Sequence, residues 1–281
     1  LDKKNESIYL FDDFVVKFFT NASITKNRVN RANLLKGLVP DIINSSKNFY
    51  KYKKSKGILF SKSVNEKSFS RFLEWADENL WISKQKSSFD SDCYSFYIEK
   101  SIKRIQSYLK HYSDPKYING ESIPTIDTLF KQIDIQNLCK GIPSQFHGDF
   151  ILDNILETKN SFCLLDWRQD FANNLEIGDI YYDLAKLNHN LTINHNIVDR
   201  KLYNSSSNNC HILCNSTLLK CKDLLHKFII KKGYDLKKVK ILTSIIWLNM
   251  APLHEYPFNK FLFNFGKYNL YKLLKDESAI S

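Results

Sequence analysis

The sequence predicts an α+β chain built as two lobes, and three observations carry that expectation. Ser7 to Phe11 and Phe14 to Phe19 are short β-type runs joined by Asp12-Asp13, so the chain opens in a hairpin with a tight turn. Past Gly57 the apolar residues recur mostly at spacings of three and four, the period of a helix with one buried face. At 281 residues the chain is long enough for a large core shared between a small β-rich N-terminal lobe and a larger, mainly helical C-terminal one.

Taken in order, the hairpin is followed by a helix over Thr25 to Leu38, which Val39-Pro40 ends. Phe49-Tyr50-Lys51-Tyr52 reads as a further strand, with the lysines at 51, 53, 54 and 56 on a solvated strand or turn. Ser68 to Ile82 and Asp92 to Tyr112 are amphipathic helices, the second carrying Ile98, Ile102, Ile105, Leu109 and Tyr112 on one stripe. Thr125 to Lys140 reads as one helix, broken by Gly141 and Pro143. The apolar run Phe162 to Leu165 is a buried strand. Helices over Ile180 to Asn190, Ser216 to Lys232, Leu236 to Met250 and Phe258 to Leu274 complete the chain, with a polar loop around Asn204 to Asn209. There is no internal repeat.

Composition narrows the function classes. Lys and Arg number 41 against 30 Asp and Glu, a formal net charge of +11. A basic surface suits nucleic acid, anionic membrane or a phosphorylated ligand. Here the lysines are scattered through a chain also rich in Asn and Ile, and no nucleic-acid-binding motif is present, so no nucleic-acid partner is expected. The longest apolar stretch, Ile241 to Leu253, is too short for a membrane span and contains Asn249 and Pro252. Six cysteines without a CxxC pair, and no signal-like apolar leader, lead to the expectation of a reducing cytoplasm. Cys210, His211, Cys214 and Cys221 match no common zinc spacing.

The chemistry concentrates in Gln145 to Trp167, QFHGDFILDNILETKNSFCLLDW. Asp149 follows a Gly in a His-Gly-Asp turn, Asn154 comes five residues later, and Asp166 ends the Phe162 to Leu165 strand, which would deliver its carboxylate beside the loop. Phosphoryl transfer needs these groups: one Asp to accept the attacking hydroxyl's proton, and an Asn and a second Asp to hold Mg²⁺ against the phosphates. Hard oxygen donors suit Mg²⁺, which bridges phosphate oxygens and keeps some of its water. On that logic Asp149 is the base, and Asn154 and Asp166 are the metal ligands. Either motif alone has a plainer reading, as a turn or a helix cap. Lys17, inside Val15-Val16-Lys17-Phe18-Phe19, has a plain alternative too, as an outward lysine on an edge strand.

The pattern His-x-Asp-x-x-x-x-Asn followed by a strand-end Asp resembles the catalytic and metal loops of protein-kinase-like folds. More narrowly, His147-Gly148-Asp149 with Leu165-Asp166-Trp167, and then Gly178-Asp179 to Asp183-Leu184-Ala185, resemble the aminoglycoside phosphotransferase and choline kinase families. The resemblance implies a two-lobed protein-kinase-like fold, with a small nucleotide-binding lobe over residues 1–55 and a helical lobe over 56–281. It implies ATP as co-substrate, Lys17 on the nucleotide phosphates, and a hinge at Tyr52, Lys53, Lys54 and Ser55 that binds the adenine. Asp179 and Asp183 would brace the loop. The acceptor would be a small-molecule hydroxyl, a sugar, amino sugar, aminoglycoside or choline-like amino alcohol, since no DFG or APE segment of the kind that supports peptide binding is found. Candidate acceptor contacts are Trp167, Arg168, Asp170 and Glu176 beyond the metal loop, and Trp247, His254, Glu255 and Tyr256 on the last helical segments.

Two departures stand against the resemblance. No Glu occurs between Glu6 and Glu66, so the usual helix partner of the strand lysine is missing, with Asn30 or Asn33 in its place. Only sixteen residues precede Lys17, and none is Gly. The chain begins with Leu, so a fragment of a longer protein or a reduced small lobe is expected. A catalytically silent nucleotide-binding module is the alternative function.

Overall fold

The computed structural model describes residues 2–3 and 5–278. The chain divides into two compact units, one made of residues up to 86 together with 142–183, the other of 87–141 and 184–281. The boundary expected near Ser55 lies inside the first unit.

The first unit opens with a five-stranded antiparallel sheet. Its strands are β1 (Asp2–Lys3), β2 (Glu6–Leu10), β3 (Phe14–Phe19), β4 (Ile42–Ser45) and β5 (Phe49–Lys53), in the order β1-β2-β3-β5-β4. The expected hairpin is β2–β3, registered from Glu6 opposite Phe19 to Leu10 opposite Val15. β3 lies between β2 and β5, so it is an interior strand and not an edge. Its side chains alternate, and Val15, Lys17 and Phe19 form the buried set.

Helix α1 (Ala22–Leu34) starts earlier than its apolar periodicity indicates, because Asn21 caps it through its side chain on the Ser23 N–H. It stops at Leu34, and Gly37 turns the chain at a φ of +85°. A second, three-stranded sheet joins β6 (Ile58–Leu59), Ile155–Glu157 and Phe162–Leu164. It sits on an aromatic core of Phe60, Phe72, Phe150 and Phe162, whose ring centroids lie 5.0 to 5.3 Å apart. The helix Glu66–Asn79 beside it begins with a capping box between Asn65 and Ser68.

The second unit is helical. Phe89–Tyr94 and Lys100–Leu109 are one continuous element with a π turn at Ser95–Glu99. Leu236–Met250 packs along Phe258–Ser278. The helix expected over Thr125 to Lys140 is two, Ile126–Gln132 and Ile135–Cys139. Ile133 adopts an extended conformation, and Asp134 caps the second piece on the Asn137 N–H, which restarts the helix on a new axis.

Candidate active site

All the groups expected to do chemistry at the phosphates lie in the first unit, where short hydrogen bonds join them. The His147-Gly148-Asp149 turn needs its glycine twice over. Gly148 has a φ of +87°, and a Cβ there would lie 2.6 Å from the Arg168 Cβ. His147 is fully buried. Its Nε2 lies 2.8 Å from the Leu165 carbonyl, which can only accept, and its Nδ1 lies 3.2 Å from the Asp149 N–H, which can only donate. Those two partners assign the neutral tautomer with the proton on Nε2. Burial pushes the His147 pKa down to about 4, in keeping with that assignment. The imidazole thus ties the His147-Gly148-Asp149 turn to the residue before Asp166.

Asp183, on the helix Ile180–Asn190, accepts the N–H groups of His147 at 2.8 Å and Gly148 at 2.7 Å, and the Trp81 indole N–H at 3.3 Å. Burial raises its pKa to about 6, with the two backbone donors pulling the other way. Asp179 accepts the Ile142 and Tyr181 N–H groups. Both aspartates brace the loop, and Gly178 lets Phe146 pack against the backbone, since a Cβ there would fall 2.5 Å from the ring.

Asn154 ends a 3-10 turn over Leu152–Asn154, and its side-chain amide donates to the Asp149 carbonyl at 2.9 Å and to Asp149 Oδ2 at 3.1 Å. The Asn154 carbonyl accepts the Leu165 N–H at 2.7 Å, which sets the loop beside the strand end. Asp166 follows with a φ of +54°, a left-handed turn that takes its side chain off the strand direction. Lys17 meets it, Nζ to Oδ1 at 2.5 Å, with only 5% of the lysine side chain exposed. The outward-lysine reading therefore fails, because an interior strand turns this residue to its buried face. Burial lowers the Lys17 pKa, with Asp166 opposing.

Helix α1 supplies what sequence reasoning missed. Asn30 and Asn33, expected in place of a helix Glu, are exposed. The helix turns two arginines inward instead. Arg28 bonds through Nη1 to the same Asp166 Oδ1 that Lys17 holds, and its backbone carbonyl accepts the Trp167 indole N–H at 2.8 Å. Burial favours the protonated acid at Asp166, but Arg28 and Lys17 outweigh it and hold the carboxyl well below the usual range. Burial likewise opposes the Arg28 charge, and Asp166 more than compensates, so the guanidinium is held above its ordinary value.

Arg31, 1% exposed, donates to the carbonyls of Phe146, His147, Arg168 and Leu175 and stacks 3.8 Å from the centroid of the Phe146 ring. One buried side chain therefore pins α1 to both the His147-Gly148-Asp149 turn and the segment after Asp166.

The remaining candidates fall in different settings. Tyr52 is buried, packed between Tyr50 and Trp167; Lys53 and Lys54 are exposed, with Lys54 Nζ on the Phe11 carbonyl at 3.2 Å; Ser55 Oγ accepts from the Cys163 thiol at 3.3 Å. Trp167 is 1% exposed against Tyr50 and Tyr52, a packing position. Arg168 covers Gly148 and bonds the Asp170 carbonyl, and Glu176 is exposed and paired with Lys84 at 2.8 Å. In the second unit Trp247 is buried, with its indole N–H on His189 Nδ1 at 2.7 Å, while His254, Glu255 and Tyr256 are exposed.

Oxygen donors for a divalent cation are present. The bonds described above use Asp166 Oδ1 and the Asn154 amide nitrogen, which leaves Asp166 Oδ2 and Asn154 Oδ1 for a hard cation. No group of three or more His, Cys, Asp or Glu that could hold a metal occurs among the described residues. Two protein oxygens suffice where phosphates and water complete the shell, as Mg²⁺ prefers.

A β-sheet followed by a helix, a helical unit, and a loop joining the His147-Gly148-Asp149 turn, Asn154 and the strand-end Asp166 define the protein-kinase-like fold. The chain is similar over 97% of its length to APH(2")-IIa in its streptomycin–ATP ternary complex, at 14% identity, a TM-score of 0.56 and 89% coverage of that chain. A putative fructosamine-3-kinase from Thermobifida fusca YX-ER1 aligns with 92% of this chain and 85% of its own, at 11% identity and a TM-score of 0.53. A choline/ethanolamine kinase family protein from Mesorhizobium loti aligns with 100% and 92%, at 14% identity and a TM-score of 0.50. No protein-family model matches the sequence, and no curated protein matches it significantly.

Proposed function

We propose that the protein transfers the γ-phosphate of ATP, with Mg²⁺, to a hydroxyl of a small molecule. The observation that carries this reading is the junction of Asp149, Asn154, Asp166 and Lys17 in one hydrogen-bonded unit, reached from separate stretches of chain. Asp149 is the proposed base, held at the rim of the turn by the Asn154 amide. Asn154 and Asp166 are the proposed Mg²⁺ ligands, and a bound divalent ion would neutralise charge on the β- and γ-phosphates. Lys17 is the proposed phosphate contact, and Tyr52 to Ser55 the proposed adenine segment. A neighbour in fold whose complex holds ATP supports the choice of co-substrate.

For the acceptor, we retain Arg168, Asp170 and Glu176, which belong to the same unit as Asp149 and Asp166. Trp167 and Trp247 are left out, because burial and satisfied indole N–H groups assign them to packing. The proposed compartment is the cytoplasm, supported by six free cysteines; among the described residues no helix is long and apolar enough to cross a membrane.

The test is ATP consumption with Mg²⁺ against a panel of sugars, amino sugars, aminoglycosides and amino alcohols, with phosphorylated product identified by mass. One acceptor turned over by the native chain and not by Asp149→Asn supports the reading. The silent-module alternative has one observation in its favour, the double clamp of Lys17 and Arg28 on Asp166. ATP binding without turnover across the whole panel would select it.

A further inference from the structure

We propose that Arg28 is a second polyphosphate-binding cation, placed by α1 beside Lys17 so that two positive charges close on a bound nucleoside triphosphate; this rests on the phosphotransferase reading above. Lys17 Nζ and Arg28 Nη1 converge on one oxygen, Asp166 Oδ1. A phosphate oxygen near enough to be held by one is therefore within reach of the other after side-chain rotation alone. The Asp166 side chain is 24% exposed against 5% for Lys17 and 11% for Arg28, so a ligand arriving over Asp166 meets both cations behind it.

Charge points the same way. Two cations share a single carboxylate, Asp166, at bonding distance. Arg28 Nε is buried with no hydrogen-bond partner, so part of a five-donor fork is unspent. A buried positive excess with an unsatisfied N–H fits a multivalent anion. The β2–β3 turn of the same sheet is Phe11-Asp12-Asp13, which has no glycine and carries two carboxylates, so this turn adds repulsion for phosphate. The Arg28 backbone is anchored by the Trp167 indole N–H on its carbonyl, and its guanidinium lies 4.8 Å from the centroid of the Phe19 ring. Planar, multidentate phosphate recognition is what an arginine does better than a lysine.

Calorimetric titration of ATP and of adenosine into the native chain, Arg28→Gln and Arg28→Lys tests this. ATP affinity should fall about ten- to a hundredfold in Arg28→Gln, the range for loss of a charge-assisted contact, while adenosine affinity stays within about twofold. Arg28→Lys should fall between, and it carries the comparison alone if the glutamine variant does not fold. Equal losses for ATP and adenosine would show that Arg28 serves only the packing of α1, and unchanged ATP affinity would show that it touches no phosphate; either result overturns the assignment. A native chain that binds neither ligand overturns the phosphotransferase reading and the role of Arg28 with it, whereas ATP binding by the native chain isolates any failure to Arg28.

Discussion

Arg31→Met should destabilise the protein far more than a surface arginine would. The methionine fills much of the same space but donates nothing, so the Phe146, Arg168 and Leu175 carbonyls lose their Arg31 donor; His147 keeps the Arg168 N–H at 3.0 Å. Each of these three lost bonds from a charged donor costs roughly 1 kcal/mol or more, and the stack on Phe146 adds about 0.5 to 1 kcal/mol. Burial lowers the Arg31 pKa, with Asp183 opposing, so part of the loss is offset when the buried charge is removed. The net expectation is about 3 kcal/mol, or roughly 6 to 12 °C in Tm for a chain of this size. Thermal melts followed by tryptophan fluorescence read it directly, because Trp75, Trp81 and Trp167 all belong to the unit that Arg31 pins. Arg31→Lys should land between the two. A fall of less than about 2 °C in Arg31→Met would refute the claim that this side chain holds the His147-Gly148-Asp149 turn and the post-Asp166 segment together.

Three further outcomes follow from the site. Asp149→Asn should cut turnover by ~10² to 10⁴ while leaving ATP affinity nearly unchanged; near-native turnover, with chemistry rate-limiting, would remove Asp149 as base. Asp166→Ala takes away the carboxylate that serves Lys17, Arg28 and the proposed metal, so ATP binding should lose its Mg²⁺ dependence; an unchanged Mg²⁺ titration would put the ion elsewhere. His147 makes stability pH-dependent with a definite sign. Its folded pKa is depressed, so between about 6.5 and 4 the unfolded chain binds a proton that the folded chain refuses, and stability falls with pH by about 3 kcal/mol across that window. Asp183, raised to about 6, acts in the opposite sense but is common to both proteins, so the stability gap between native and His147→Asn should narrow by that amount from pH 7 to pH 4. Urea midpoints at the two pH values measure it, and a gap that does not change would mean His147 is charged in the fold.

Much of the fold was legible because its signals are local. The hairpin, the long helices and the Phe162 strand follow from periodicity, and the structure moves their ends by a few residues where a cap decides. Asn21 extends α1 toward its N-terminus, and Asp134 cuts one expected helix into two, because a short polar side chain on a backbone N–H outweighs an apolar stripe that continues through it. The proximity of the His147-Gly148-Asp149 turn, Asn154 and Asp166 was legible for a similar reason. Asp149 and Asn154 sit five residues apart, and a strand end brings in Asp166.

The cations of α1 were not legible as a missing glutamate, because the residues able to imitate one, Asn30 and Asn33, face away from the site. The signal was of another kind. Thr25, Arg28, Ala32 and Leu35 follow helical spacing, so a stripe that is buried and uncharged at three points carries an arginine at the fourth. Only six of the 41 basic residues are arginine, at 28, 31, 71, 104, 168 and 200. A chain that uses lysine almost everywhere keeps arginine where a rigid fork is needed. Arg28 meets Asp166, Arg31 gathers four carbonyls, Arg71 pairs with Glu157 over the Phe162 ring, and Arg168 closes over Gly148. Against a background of scattered lysine, rarity itself marks these positions, and Arg31 shows why, since a lysine offers one point of charge where four carbonyls need a plane of donors.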